Sequence, residues 1–153
     1  MPEPNTQPPI FSDNSSTTLD DKLRVTIPAR WRRTAEGGEE FFLTVARSGS
    51  FIHVMPPPVF ASVFEKLADE PGVTTKEISK FERIFYSRSR HVTTDKAGRI
   101  AIPADYAKAV GIKKEVVLAG NRVKFELYSP EAWERTQLDD TPTFDRLADR
   151  LDL

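Results

Sequence analysis

The stretch Asp95-Lys96-Ala97-Gly98-Arg99-Ile100-Ala101-Ile102-Pro103-Ala104 decides the reading of this chain, because it occurs a second time as Asp20-Asp21-Lys22-Leu23-Arg24-Val25-Thr26-Ile27-Pro28-Ala29. The copies lie 75 positions apart and share Asp, Arg, a β-branched residue, Ile, Pro and Ala without a gap. Self-similarity at a fixed distance marks two structural units built on one plan. Whatever the Asp and Arg do, the chain is expected to do it twice.

Working outward from the first copy, Leu23 to Ile27 alternates apolar and polar residues, the pattern of a half-buried strand. Pro28 ends the ladder and opens a short helix over Ala29–Thr34, closed by Gly37-Gly38. Phe41–Val45 and Ser50–Met55 read as strands joined by a Ser-Gly turn. After Pro56-Pro57-Pro58, Val59, Phe60, Val63, Phe64 and Leu67 make one apolar helical face. Pro71-Gly72 breaks it, and Ile78, Phe81, Ile84 and Phe85 form a second stripe on a connector helix near Ile78–Tyr86.

The second unit repeats the order: a strand over Arg99–Ile102, a helix from Pro103 through Ala109, and Gly111 as its cap. Glu115–Ala119 and Val123–Tyr128 pair across Gly120-Asn121. Ser129 and Pro130 start a helix as N-cap and first helical residue, ending near Leu138. Phe144, Leu147 and Leu151 make a last amphipathic segment, a mobile tail or a packing helix. Units of about 45 residues rarely fold alone, which explains the duplication if the two close on each other. The expected organisation is a disordered Pro/Ser-rich arm over 1–17, a first repeat with its connector helix over 18–88, a second repeat over 89–138, and an acidic tail over 139–153. Ile10 and Phe11 are the arm's only candidates for docking.

The chain has 153 residues with a net charge of −1, which by itself argues against a polyanionic partner. The distribution argues the other way. Lys22, Arg24, Arg30, Arg32 and Arg33 fall within residues 22–33 with no acid among them. Residues 76–114 carry ten basic and four acidic side chains, whereas residues 126–153 carry three basic and eight acidic. Local fields rather than totals steer a polyanion. The alternative is that these charged faces are merely solvated.

The Asp-x-x-x-Arg spacing puts both residues at the mouth of a turn just ahead of a strand. A turn Asp accepts hydrogen bonds from backbone N–H groups two or three residues on, and it can hold the guanidinium in one orientation. An oriented guanidinium is a rigid fork that matches phosphate or a guanine edge. Lys22 and Lys96 add charge beside each fork. The competing reading is structural: the Asp and Arg pin the turn and bind nothing.

These residues resemble the MraZ family, bacterial DNA-binding regulators related to the AbrB-type swapped-hairpin proteins. The resemblance spans roughly residues 18–135 and is closest over 95–134. It rests there on Asp95 to Pro103, then Gly111-Ile-Lys-Lys-Glu-Val-Val-Leu-Ala-Gly120, and Lys124-Phe-Glu-Leu-Tyr-Ser-Pro-Glu-Ala-Trp-Glu134. The first copy departs from the family pattern with Leu23 in place of a Gly and with Met55-Pro-Pro-Pro-Val59. A Leu where that Gly sits at positive φ would cost energy or reshape the turn.

The resemblance implies an α+β fold of two pseudo-symmetric β-barrel-like swapped-hairpin units, the AbrB/MraZ double barrel, with flanking helices. It also implies a closed, octamer-like ring homo-oligomer. It further implies that the Asp-x-x-x-Arg turns bind direct repeats in promoter DNA, including that of division and cell-wall genes. Asp20, Arg24, Asp95 and Arg99 are the positions that match, with Lys22, Lys96, Arg30, Arg32 and Arg33 as further candidate DNA contacts. The alternative is an AbrB-like protein-interaction or assembly module without DNA binding.

An enzyme is not expected. There is no cysteine, no nucleophile motif and no phosphate-cradling glycine loop, and the two histidines, His53 and His91, sit in or beside predicted strands. No cofactor, metal or small-molecule substrate is implied. With no long apolar run and no secretory signal pattern, the expected location is the cytoplasm, at the nucleoid.

Overall fold

The computed structural model describes residues 10–153. Eight strands, four α-helices and one short 3-10 helix form an α+β fold built on antiparallel sheets. The strands are β1 (Asn14–Thr18), β2 (Arg24–Thr26), β3 (Glu40–Val45), β4 (Ile52–Met55), β5 (Arg90–Thr93), β6 (Arg99–Ala101), β7 (Glu115–Asn121) and β8 (Lys124–Tyr128). The helices are α1 (Pro57–Ala68), α2 (Thr75–Arg88), α3 (Ala104–Val110) and α4 (Pro130–Arg150), with the 3-10 helix at Ala29–Trp31.

One sheet runs β1-β7-β8-β4-β3-β5, and a separate ribbon pairs β2 with β6. Exchanging the two repeats maps β1, β7 and β8 onto β5, β3 and β4. The strand order then reads the same from the other end, so the fold has a pseudo-twofold axis. The axis passes between β8 and β4 and through the Val25–Ile100 pair of the ribbon. The repeats are interlaced: β1 of the first pairs with β7 of the second, and β3 of the first pairs with β5 of the second.

Short strands hold together here because alternate apolar positions point into a main core, while Val117, Ala119 and Tyr128 face a second, smaller cluster with Ala132 of α4. Val25 and Ile100 are fully buried, as are Ile27, Leu43, Ile52, Leu118, Phe125 and Leu127. Each such side chain contributes about 1.5–3 kcal/mol on burial. Period-two alternation then leaves Arg24 and Arg99 on the outer side of the ribbon.

Several expectations are corrected. The arm does not stay disordered through residue 17. Phe11 is buried against Trp31 and Phe125, Trp31 Nε1 donates to Ser12 O at 2.9 Å, and Asn14–Thr18 pairs along β7. The polar Ser/Thr run hid this strand, since it lies at a sheet edge. Residues 1–9 of the expected arm lie outside the described residues. The first short helix stops at Trp31 rather than Thr34, because Arg32 is already extended. The β7–β8 turn sits at Arg122-Val123 (Arg122 φ +63°), not at Gly120-Asn121. Gly120 serves another purpose: a Cβ there would lie 2.5 Å from Phe11 O, so glycine admits the Phe11–Ser12 backbone beside β7. Strand β5 has no counterpart among the elements expected from the sequence.

The helix after Ser129 does not end near Leu138 but continues through Pro142 to Arg150. Pro142 removes one backbone donor. Leu138, whose carbonyl loses its partner, is 71% exposed, so water can satisfy that oxygen. Phe144 and Leu147 therefore lie on the extended helix, with Leu151 as its C-cap, instead of forming a separate tail. The capping expectations hold: Ser129 Oγ accepts from Ala132 N at 3.1 Å, and Gly111 closes α3 at φ +77°.

Candidate nucleic-acid interface

In each motif the Asp carboxylate organises its own turn. Asp20 Oδ1 accepts from Lys22 N at 2.9 Å and Arg24 N at 2.8 Å, and its Oδ2 accepts from Arg24 Nε at 2.6 Å. Asp95 Oδ1 accepts from Ala97 N at 3.0 Å and Arg99 N at 2.9 Å, and its Oδ2 accepts from Arg99 Nε at 2.8 Å. The backbone closes both turns alike, with Leu23 N donating to Asp20 O at 3.1 Å and Gly98 N to Asp95 O at 2.9 Å. Both carboxyls are held below the usual Asp range. In each the arginine's backbone N–H contributes most, burial opposes it, and the guanidinium adds to the lowering.

The sequence suggested two separate sites; the structure merges them. The ribbon register sets Arg24 opposite Ala101 and Arg99 opposite Thr26. Ile27 N donates to Gly98 O and Ile102 N to Leu23 O, both at 2.9 Å, so each turn is tied to the other repeat's strand. As a result Arg24 Nη1 lies 4.0 Å from Asp95 Oδ2, and Arg99 Nη1 lies 3.7 Å from Asp20 Oδ2. Four side chains, each about one-third exposed, form a ring of alternating charge about the pseudo-twofold axis. Ion pairs this exposed add at most about 1 kcal/mol each. Their effect is orientation. With Nε held by its own Asp and Nη1 drawn towards the other repeat's Asp, each guanidinium is fixed in one orientation while about a third of the side chain stays exposed to an outside acceptor such as a guanine edge.

Lys22 and Lys96 are exposed on the two turns. Arg30 is drawn aside: its guanidinium pairs with Asp13 at 3.2 Å and lies over the Trp31 ring. Arg32 reaches the second turn, where Nη1 donates to Ala97 O at 3.3 Å. Arg33 follows the 3-10 helix, and its backbone N–H donates to Glu39 Oε2 at 3.2 Å. Leu23 adopts φ +57° where its counterpart Gly98 adopts +77°, and its side chain packs on the core. The two turns therefore share one backbone shape despite the Leu. Sequence reasoning missed the fusion of the two motifs, because the β2–β6 pairing joins residues 75 positions apart and leaves no local signal.

This architecture, a duplicated Asp-x-x-x-Arg turn on a ribbon over an interlaced antiparallel sheet, defines the class. A family model described as "MraZ protein, putative antitoxin-like" matches residues 85–152. A protein named "Transcriptional regulator MraZ" from Finegoldia magna is 34% identical over 142 residues, covering 93% of this chain and 96% of that protein. One of the same name from Caldanaerobacter subterraneus is 33% identical, covering 88% of this chain and 92% of the relative. Another from Parafrankia is 29% identical, with coverages of 93% and 96%. The relatives thus extend over the first repeat, of which the family model matches only residues 85–88. The chain belongs to the MraZ family.

Proposed function

We propose that this chain is a DNA-binding transcriptional regulator that engages promoter direct repeats, those of division and cell-wall genes included, through the fused Asp20–Arg24 and Asp95–Arg99 turns. The observation that carries this is the convergence of two guanidinium forks on one ribbon, each held at Nε by its own Asp and near Nη1 by the other repeat's Asp, with about a third of each side chain exposed. The relatives' printed name supports the regulatory role. The ring of four charges is neutral in sum and Asp21 offsets Lys22, so the attraction for phosphate comes from Lys96 and Arg32, and the forks supply the fit.

The chain acts as a homo-oligomer, in a ring that presents several such faces. Phe64 and Phe81 on the α1–α2 pair, and Leu138, Phe144 and Leu147 on α4 with Leu151 at its C-cap, are exposed apolar side chains that an assembly would cover. The pseudo-twofold axis sharpens the point. Helix α1 carries α2 on its aromatic side, with Phe60 against Phe85 and Tyr86, whereas its counterpart α4 carries no second helix among the described residues. The same faces support the rival reading, an assembly module without DNA.

The test is fluorescence anisotropy with single and tandem copies of a duplex that the wild-type chain selects from a random library, at low and high salt. Arg24→Ala/Arg99→Ala should lose about 1–3 kcal/mol per fork, with thermal stability and oligomeric size retained. Tandem copies should bind much more tightly than one, through raised effective concentration. A wild-type chain that binds no duplex even at low salt would end the DNA reading and leave the assembly module.

A further inference from the structure

The two turns are matched in backbone but not in what lies on them. A Cβ on Gly98 would sit 2.2 Å from Arg32 Nη1 and 2.6 Å from its Cδ, so the absence of a side chain at 98 is what lets Arg32 lie across the second turn. The pseudo-twofold axis maps Gly98 onto Leu23 and Arg32 onto Ala107, which is 3% exposed. The first turn thus has a leucine packed on the core and no arginine over it. The flanking charges follow the same division. Asp21 and Lys22 cancel on the first turn, whereas Lys96 and Arg32 are both positive on the second.

Arg32 is also under-used within the fold. Its Nε is buried with no hydrogen-bond partner, and the one hydrogen bond that Nη1 makes, to Ala97 O, is long at 3.3 Å. Arg24 and Arg99 each have a carboxylate at Nε; Arg32 has none. Nε itself is covered, so an acceptor from outside would meet the Nη end, and the fold leaves this guanidinium with one long hydrogen bond and the nearby charge of Glu39.

We infer that Arg32 gives the pseudo-symmetric site a direction. Two forks related by a twofold axis would by themselves read a palindromic element, since operator symmetry mirrors protein symmetry. A third guanidinium over one turn breaks the equivalence, so the site engages a non-palindromic element in a single orientation. The half beneath Asp95–Arg99 is held more tightly than the half beneath Asp20–Arg24. This rests on the DNA-binding reading and adds to it the residue that sets polarity.

The experiment selects binding sequences from a random duplex library with the full-length wild type, Arg32→Ala and Arg32→Lys, then measures each chain's affinity for the wild-type sequence. The wild type should enrich a non-palindromic element. Arg32→Ala should bind it about tenfold or more weakly, as expected for loss of one bidentate contact, and should enrich a more symmetric element. Arg32→Lys should keep the salt dependence but lose the base preference beneath the second turn, because the ammonium has the charge without the fork. It also serves should the alanine variant fold poorly. An Arg32→Ala chain that selects the same non-palindromic element at unchanged affinity would overturn the inference, as would a palindrome selected by the wild type. A wild type that enriches nothing would defeat the DNA-binding reading itself.

Discussion

Leu23 offers a test of the turn geometry in which the usual order of two substitutions is inverted. It sits at φ +57°, the left-handed region, with its N–H donating to Asp20 O and its carbonyl accepting from Ile102 N. Replacing it by Ala or by Gly removes the same partial packing against the core, a loss of about 1–2 kcal/mol for a half-buried leucine. The two variants then differ only in backbone terms. Left-handed φ costs a residue with a Cβ about 1–2 kcal/mol, and Gly loses about 0.5–1 kcal/mol more chain entropy than Ala on folding. The balance favours Gly by roughly 0.5–1 kcal/mol, where ordinary helix or strand positions favour Ala. At about 2–4 °C per kcal/mol for a chain of this size, Leu23→Gly should melt about 1–4 °C above Leu23→Ala. Both should melt below the wild type. The assay is thermal unfolding at one fixed protein concentration, since assembly makes Tm concentration-dependent. If Leu23→Ala is as stable as Leu23→Gly or more so, the first turn does not have the shape described and its match to the second turn fails.

Gly120→Ala should destabilise by about 1–3 kcal/mol and shift Trp31 fluorescence, because the new methyl would push the Phe11–Ser12 backbone off β7 and break the Trp31 Nε1 bond to Ser12 O. Wild-type chemical denaturation with unchanged tryptophan emission would refute this. His53 should make stability fall in mild acid. Burial, then the adjacent Lys124 ammonium, lowers its pKa to about 4, while Glu126 opposes them. A base whose folded pKa lies below its unfolded value of about 6.5 stabilises fully above 6.5, and that contribution is lost as pH falls towards 4, by at most about 1.4 kcal/mol per unit. His53→Gln should flatten the Tm profile between pH 7 and 5. Asp20 and Asp95, held below the ordinary Asp range, stay charged over that interval and contribute no slope.

What could be read from the sequence was local. Asp-x-x-x-Arg, Ile-Pro and Ser-Pro each fix a turn, a strand end or a helix start within four residues, and the turns and caps fall where those signals put them. What could not be read depends on contacts between distant residues. Asn14–Thr18 is too polar to announce a strand and becomes one because β7 offers it an edge. Gly120 resembles a turn glycine until Phe11 is seen lying on it. Pro142 resembles a helix stop, yet the surrounding turn is solvated and tolerates the lost bond. The candidate site divides in the same way. Its four residues were legible one motif at a time, but their convergence was not, and neither was the position of Arg32 over Gly98.

That convergence also accounts for the duplication. Strands β2 and β6 have three residues each and, among the described residues, only each other as sheet partners. A two-stranded ribbon of that size is not stable alone in water. It persists because Val25 and Ile100 reach the core that both repeats build, and because each turn is bonded to the other repeat's strand. Neither repeat could therefore present its arginine in isolation. Opening the β4–β8 seam, or stripping β1 from β7, would loosen the ribbon and with it all four charged side chains together. The turns themselves are exposed and individually weak, so their fixed geometry is a property of the shared core. The spacing between Arg24 and Arg99 is accordingly set by the Val25–Ile100 pair rather than by a flexible linker.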